Sequence, residues 1–550
     1  MSAATVGGSS SLHGGAPALP LRDSMTGFVI CVRFILGRNW VRLLVWAAVL
    51  AIMIPVVYDS QQQAFPTQTA RDAYAQVANT PAVAAMTGLP YAAGSLGGIL
   101  VIKIWMTLAV ALGFASIFLV TRNGRADEES GRIELLRSAA LGRHAYSMAN
   151  YVVAGALSIV TGMLISLLCL AVKLPVAGSL VMGASIAGTG LAFIAVAALC
   201  GQLSSTSRGA NSLGVAVMAL FYFIRAGADL QANGIDPSPL SWFSPIGWAQ
   251  NMRAFGQDSW WPLLALLTLT ILGCAAALRI ETSRDLGMGL LPEQRGPSRA
   301  SAFLTHPVGL ALRLQRGSLI GWLTGAVVAG AFFGSVAQTM TSVLDPANPF
   351  ATSFVGSSTS MLDGILGIFV LFNGLLAGAF AVQCLAGVRG EEASGRLESQ
   401  LAGAISRNTW LLAQVAMAAV GSALMLLVSG YLTGAASSGA ATGGQLAAAS
   451  FAYWPAVLVM LGMMLFLSGF LPRLSVSISW AVYGLSMGIA MFGGLFSLSE
   501  AAIKATPFGA VPRIPAEDFT LAPLAVLTII AAVLATLGFW RFRTRDVTAD

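Results

Sequence analysis

Long uninterrupted apolar runs alternate along this chain with short charged islands. Runs such as Ile99–Val120 and Pro523–Trp540 are apolar on every side. A helix that is apolar all round is buried in a core or in a membrane, and about 20 such residues cross a bilayer with every backbone group bonded inside the segment. A transmembrane barrel would instead alternate in polarity over short stretches. The pattern predicts about twelve helical spans. The first six are residues 40–57, 97–120, 149–171, 180–203, 212–230 and 262–280; the second six are 319–338, 363–387, 411–433, 453–471, 477–497 and 523–541. A short hinge, Ser204–Asn211, parts the fourth span from the fifth, and Pro472–Ser475 parts the tenth from the eleventh. The expected fold is all-α: a polytopic membrane protein of two six-helix halves.

Composition agrees with that pattern. Of 550 residues, 10% are charged and 56% hydrophobic, with mean hydropathy +0.77. Soluble domains carry roughly 25% charged residues, so a soluble chain is excluded. The net charge of +7 comes from basic residues in alternate connectors. Arg122, Arg125, Arg132, Arg137 and Arg143 lie between spans two and three, Arg279, Arg284, Arg295 and Arg299 after span six, and Arg541, Arg543 and Arg545 after span twelve. Basic loops stay on the cytoplasmic side. Both termini are therefore expected in the cytoplasm and the chain in the plasma (inner) membrane. A charge with this topological origin gives no reason to expect a nucleic-acid partner.

Residues 1–20 are rich in Gly, Ser, Ala and Pro and are expected to be disordered. They lack a basic region followed by an apolar one, so no cleaved signal peptide is expected, and span one serves as its own insertion signal. Cys31, Cys169, Cys200, Cys274 and Cys384 fall in or beside spans without metal-ligand spacing. No disulfide and no metal are expected.

A charged phrase occurs twice. Residues 127–134 read Asp-Glu-Glu-Ser-Gly-Arg-Ile-Glu and residues 391–398 read Glu-Glu-Ala-Ser-Gly-Arg-Leu-Glu, 264 residues apart. Arg125 matches Arg389 and Arg143 matches Arg407 at the same offset, while Arg284 matches Arg545 at a slightly shorter one. Both halves start from the same side, so the repeat is parallel. The division read from the sequence is a tail at 1–20, a first half at 21–280, a linker with Pro292, Pro297 and Pro307 at 281–318, and a second half at 319–550. Ahead of span one, residues 24–38 are apolar with arginines; they read either as a helix in the membrane interface or as an extension of span one. Residues 304–317 are a shorter counterpart.

About 28 residues separate spans two and three, more than a turn needs. Acidic residues come first and basic ones follow, as suits a helix dipole. Gly131 and Gly395 would permit close backbone approach. Arg132 and Arg396 could pair bidentately with carboxylates, within the chain or on a partner. A solvated loop, charged only for topology, explains one such phrase better than it explains two at matching places.

Glu-Glu-x-Ser-Gly-Arg-x-Glu after the second span of a six-span unit resembles the permeases of ABC-2-type (type V) exporters. The likeness is greatest to the fused, double-length permeases of polyketide-antibiotic exporters in actinobacteria, including mycobacterial drug-efflux systems. It covers both halves. It implies that the charged loop is a coupling helix resting on a separate ATP-binding subunit, two copies of which would serve one chain, with ATP and Mg held on those partners. It also implies that Glu128, Glu129, Ser130, Gly131, Arg132 and Glu134 meet one copy, and Glu392, Ser394, Gly395, Arg396 and Glu398 the other. Ala393 stands opposite Glu129, so the two docking sites are expected to differ in strength.

The chain has no GxxxxGK[ST] phosphate loop, and its three lysines, Lys103, Lys173 and Lys504, follow no such loop. No catalytic residue is expected in it; His13, His144 and His306 lie outside the spans. Charges within spans are few: Lys103, Arg225 with Asp229, and Asp363, none of them central. A proton-driven carrier would keep a buried carboxylate at mid-membrane. Trp242, Phe243, Trp248, Phe255, Trp260 and Trp261, with Phe508 and Phe519 in the second half, predict interfacial or re-entrant outer segments. Phe221, Tyr222, Phe223, Asn373 and Gln383 are candidates to line a pathway, with ordinary helix packing or lipid contact as the alternative for each. Such a path would suit small amphipathic compounds. The expected function is a permease exporting bulky amphipathic drugs or antibiotics by alternating access, driven by a separate ATPase. A proton-coupled carrier of major facilitator type and a non-transporting scaffold stand as alternatives.

Overall fold

The computed structural model describes residues 24–79, 81–138, 141–285, 287–291, 299, 301–343, 360–403, 405–437, 439, 441–493 and 498–545. The tail 1–20, Pro292 and Pro297 of the linker, and Asp546 lie outside these. Among the described residues twelve long helices follow one another: α1 (Phe28–Ala64), α2 (Leu96–Glu129), α3 (Ala145–Ala171), α4 (Val176–Leu203), α5 (Ser207–Leu230), α6 (Trp261–Ser283), α7 (Pro307–Val343), α8 (Met361–Ala393), α9 (Arg407–Ala435), α10 (Gly443–Phe470), α11 (Ser475–Phe492) and α12 (Leu521–Thr544). Among the described residues the extended pairing is limited to an isolated bridge between Asn233 and Asp236. Eleven of the helices are long and apolar enough to cross a membrane; α11 is the shorter one. Its predicted range ran to 497, and residues 494–497 lie outside the described ones.

Local sequence sets the helix ends. Pro175 precedes α4, and Pro472 stops α10, because proline cannot continue a hydrogen-bonded turn. Side chains of Thr206, Ser360, Ser406 and Thr442 accept from backbone N–H groups in the first turns of α5, α8, α9 and α10. Thr442 and Gln445 form a reciprocal capping box.

The reading of residues 24–38 as a separate surface helix is corrected. Residues 28–38 are the first turns of α1, which runs 37 residues without a break. Nothing in the sequence interrupts it: Gly37 is a single glycine, and Pro55 is accommodated within the helix. At 1.5 Å per residue the helix is about 55 Å long, against a hydrocarbon core of about 30 Å. Residues 307–317 likewise run on into α7.

The chain divides into two compact units, Met1–Arg295 and Gly296–Asp550. In the first, α1 packs on α3, α3 on α4, and α4 on α2 and α6. The second repeats the same neighbours, α7 on α9, α9 on the first segment of α10, and α10 on α8 and α12. Small residues bring these helices close. A Cβ at Gly162 would stand 2.5 Å from the Gly183 carbonyl oxygen; one at Gly430 would stand 2.5 Å from the Leu446 oxygen. Helices α2, α4 and α8 are mostly buried in their units, whereas α1, α6 and α12 turn Val29, Leu44, Ile52, Leu264, Ile271, Val526 and Ile529 outward. Apolar exposure on that scale is a surface for lipid.

Candidate functional site

Each charged phrase is built at the end of the second helix of its unit. α2 ends at Glu129, Ser130–Gly131 form a turn, and a second short helix follows at Arg132–Arg137. In the other unit α8 ends at Ala393, and the short helix is Arg396–Leu401. Gly131 and Gly395 both adopt φ +72°, the left-handed region that glycine enters without strain. An added Cβ at either would meet nothing within 4 Å in this chain. Within this chain glycine is therefore needed for the turn itself. One apolar side chain anchors each short helix: Ile133 in the first, Leu397 in the second, both buried.

The acidic residues before the turn bond to different elements, Asp127 and Glu128 inward and Glu129 at the surface. Asp127 is 1% exposed and accepts from Arg38 Nη2 of α1 at 2.6 Å, Arg132 Nη1 at 2.7 Å and the Tyr146 hydroxyl of α3 at 2.6 Å. Arg38 also donates to Asn123. Glu128 accepts from Arg284 just beyond α6, at 2.8 and 3.0 Å, and from Arg125 at 2.5 Å. Arg284 Nε donates to Gln202 Oε1, and Arg125 Nη2 to the Met288 carbonyl. Glu129 accepts from the Ser207 backbone N–H at 3.0 Å and hydroxyl at 2.7 Å, at the start of α5.

The second unit repeats the middle of this arrangement. Glu392 is 1% exposed; Arg545, just beyond α12, donates to it at 2.5 and 2.7 Å, and Arg389 lies 3.1 Å away. Glu391, in the place of Asp127, accepts from Arg396 at 2.9 and 3.0 Å and from Gln400 at 3.2 Å. The Glu391 carboxylate, through these hydrogen bonds first and its charge second, holds the Arg396 guanidinium above its ordinary pKa. Arg143 donates to the Thr282 carbonyl and Arg407 to the Arg545 carbonyl, so the start of the third helix in each unit caps the end of the sixth.

What remains outward is a narrower face than the whole phrase. Glu129, Ser130, Arg132, Glu134 and Leu135 are exposed in the first unit, Ser394, Arg396, Glu398 and Ser399 in the second. Side chains of Arg132 and Arg396 are 60% and 64% exposed. Of the residues expected at a partner, Glu128, Glu129 and Glu392 also bond within their own units, Glu129 while exposed. Asp127, Glu391 and the arginine pairs 125/389, 284/545 and 143/407 carry this framework and were missed as site residues. Their signal was already in the sequence, as matched positions of the repeat.

At the opposite end of the first unit, Arg225 and Asp229 are fully buried. Arg225 Nη1 donates to Asp229 Oδ2 at 3.0 Å, Arg225 Nη2 to the Ala85 carbonyl at 2.6 Å, and Gln250 Nε2 to Asp229 at 3.1 Å. Gln250 belongs to a short helix, Pro245–Gln250, that sits between α5 and α6. Lys103 Nζ lies 5.3 and 5.4 Å from the ring centres of Phe65 and Tyr74. Phe221 and Tyr222 pack against the unit's core, and Phe223 is exposed. In the second unit Asn373 is buried and donates to Thr433 and Ser450 at 3.3 and 3.4 Å, while Gln383 is exposed and accepts from Trp322. Phe508, in the segment between α11 and α12, is buried against Gly378 near the middle of α8.

Two comparisons bear on these features. Residues 304–543 match the family model described as multidrug efflux system permease Rv1217c, C-terminal domain. Over 538 residues the chain is 34% identical to the multidrug efflux system permease protein Rv1217c of Mycobacterium tuberculosis (strain ATCC 25618 / H37Rv), covering 96% of this chain and 97% of that protein.

Proposed function

Since this chain belongs to the family of multidrug efflux system permeases, we propose that it is the membrane-spanning subunit of an ATP-driven exporter of bulky amphipathic compounds. Two copies of a separate ATP-binding subunit, which hold ATP and Mg, dock on its cytoplasmic side. The observation that carries this reading is the pair of matching outward faces, Ser130–Arg132–Glu134 and Ser394–Arg396–Glu398, each mounted on a buried charge framework at the end of its unit's second helix. A solvated loop needs no such mounting. Holding a charged face rigid lowers the entropy lost when a partner binds it. The absence of a phosphate loop from the sequence supports fuel consumption on another chain.

The mechanism is alternating access. ATP draws the two partner subunits together, and the short helices carry that closure into α2, α5, α8 and α11. Their tilting closes the inner opening and releases cargo outward past the outer segments. Phe221, Tyr222, Phe223, Asn373 and Gln383 remain the proposed lining, with α5 and α8 as the helices that bear it.

Inverted vesicles from cells expressing the chain with its partner test the energy source. ATP is expected to drive uptake of a lipophilic cationic dye, and collapse of the proton gradient with ATP retained is expected to leave it unchanged. Uptake abolished by that collapse would support a proton-coupled carrier instead.

A further inference from the structure

The two phrases differ at one position whose role is visible in the structure. Glu129 reaches α5 through two hydrogen bonds to Ser207, the helix's first residue. Ala393 takes its place in the second unit. The other half of the contact is still there: Ser475 opens α11 as Ser207 opens α5, 268 residues earlier. Its hydroxyl donates instead to the Pro472 carbonyl at 2.8 Å.

The two helices differ at their far ends as well. α5 carries Arg225 and Asp229, bonded to Gln250 and to the Ala85 carbonyl. The sequence of α11 contains no charged residue. Thus α5 is a strut about 36 Å long, at 1.5 Å per residue, with a carboxylate bonded at its start and a buried ion pair at its far end; among the described residues its counterpart has neither of these, and its far end is held by Arg513, which donates to the Ala490 carbonyl at 3.0 Å. The inner contact is also of a kind that can be remade. Glu129 is exposed, so water can replace Ser207 at little cost, unlike the buried bonds of Glu128. A carboxylate at a helix start is further favoured by the helix dipole.

We propose that Glu129 is a positioning residue that passes the movement of the first docking helix to α5 and through it to the outer network of Arg225, Asp229 and Gln250, so that the first half delivers the stroke and the second follows. This rests on the ATP-driven reading above. It adds that the two ATP-binding subunits act on mechanically unequal halves.

The test is the number of drug molecules exported per ATP hydrolysed, measured on the full complex in proteoliposomes. Glu129→Ala is expected to lower that ratio about tenfold, or about 1.4 kcal/mol, close to the lower limit for a hydrogen bond to a charged group. Glu129→Gln keeps an acceptor for Ser207 and is expected to restore the ratio to within about threefold. Ala393→Glu is expected to change it by less than about twofold, because the far end of α11 carries no ion pair of its own to move, only a backbone carbonyl that accepts from Arg513. A merely structural role for Glu129 would reduce the amount of assembled complex and leave the ratio alone. If the wild-type complex exports with ATP and Glu129→Ala keeps its ratio, this inference falls and the ATP-driven reading stands. If the wild-type complex shows no ATP-driven export, both fall.

Discussion

Arg545→Ala should leave little folded protein in the membrane. Its guanidinium makes both bonds to Glu392, a carboxylate that is 1% exposed and has one other arginine beside it. Removing one member of a buried ion pair costs roughly 3–5 kcal/mol, because the remaining charge stays out of water. Total stabilities are about 5–15 kcal/mol. Arg284→Ala, the equivalent change in the first unit, is expected to be milder, since the Glu128 side chain is 9% exposed and water can approach it more readily. Thermal unfolding in mild detergent, with the yield of monodisperse protein, measures both. The expected order of loss is Arg545→Ala, then Arg284→Ala, then Arg132→Ala. A wild-type melting curve for Arg545→Ala would show that the charge framework does not hold the second unit together.

Reversing Arg132 and Arg396 together is expected to have the opposite profile, with normal protein and no transport. Both guanidiniums are more than half exposed, so the new carboxylates can turn to water. Asp127 keeps Arg38 and the Tyr146 hydroxyl, and Glu391 keeps Gln400. On the proposed outward faces, however, a cation that met a partner's carboxylate becomes an anion facing it. Like charges set against each other at an interface cost several kcal/mol. With both sites altered, drug export is expected to fall at least about 100-fold, equivalent to about 2.8 kcal/mol. The double variant Arg132→Glu with Arg396→Glu, assayed for membrane level and for efflux in the same cells, checks this. Wild-type efflux at wild-type level would remove these arginines from the coupling surface.

The fold was legible because membrane helices announce themselves by composition. Every one of the twelve apolar runs lies on a long helix, as far as the described residues extend. The repeat was legible too, since Ser-Gly-Arg-x-Glu stands after the second helix of each unit. The direction of each charge was not. Successive residues on a helix point about 100° apart, so Asp127, Glu128 and Glu129 must face three ways. Which of those ways is inward depends on where packing brings α1, α3, α5 and α6 around the end of α2, and local sequence does not encode that. The same holds for Arg225 and Asp229. Their spacing of four residues allows a pair, but Gln250 and Ala85 come from distant segments. For residues 28–38 the sequence left two readings open, and the extension of span one is the one that holds. Arginines within an apolar stretch suit a surface helix and the entry of a transmembrane one equally well.

Purification from the native membrane in mild detergent tests the central claim most directly. The account predicts that an ATP-binding chain comes through with this one at two copies per permease, and that the double reversal of Arg132 and Arg396 strips it away while the permease itself is recovered intact. Recovery of the wild-type permease alone, still active in drug export after reconstitution without any ATP-binding chain, would contradict it.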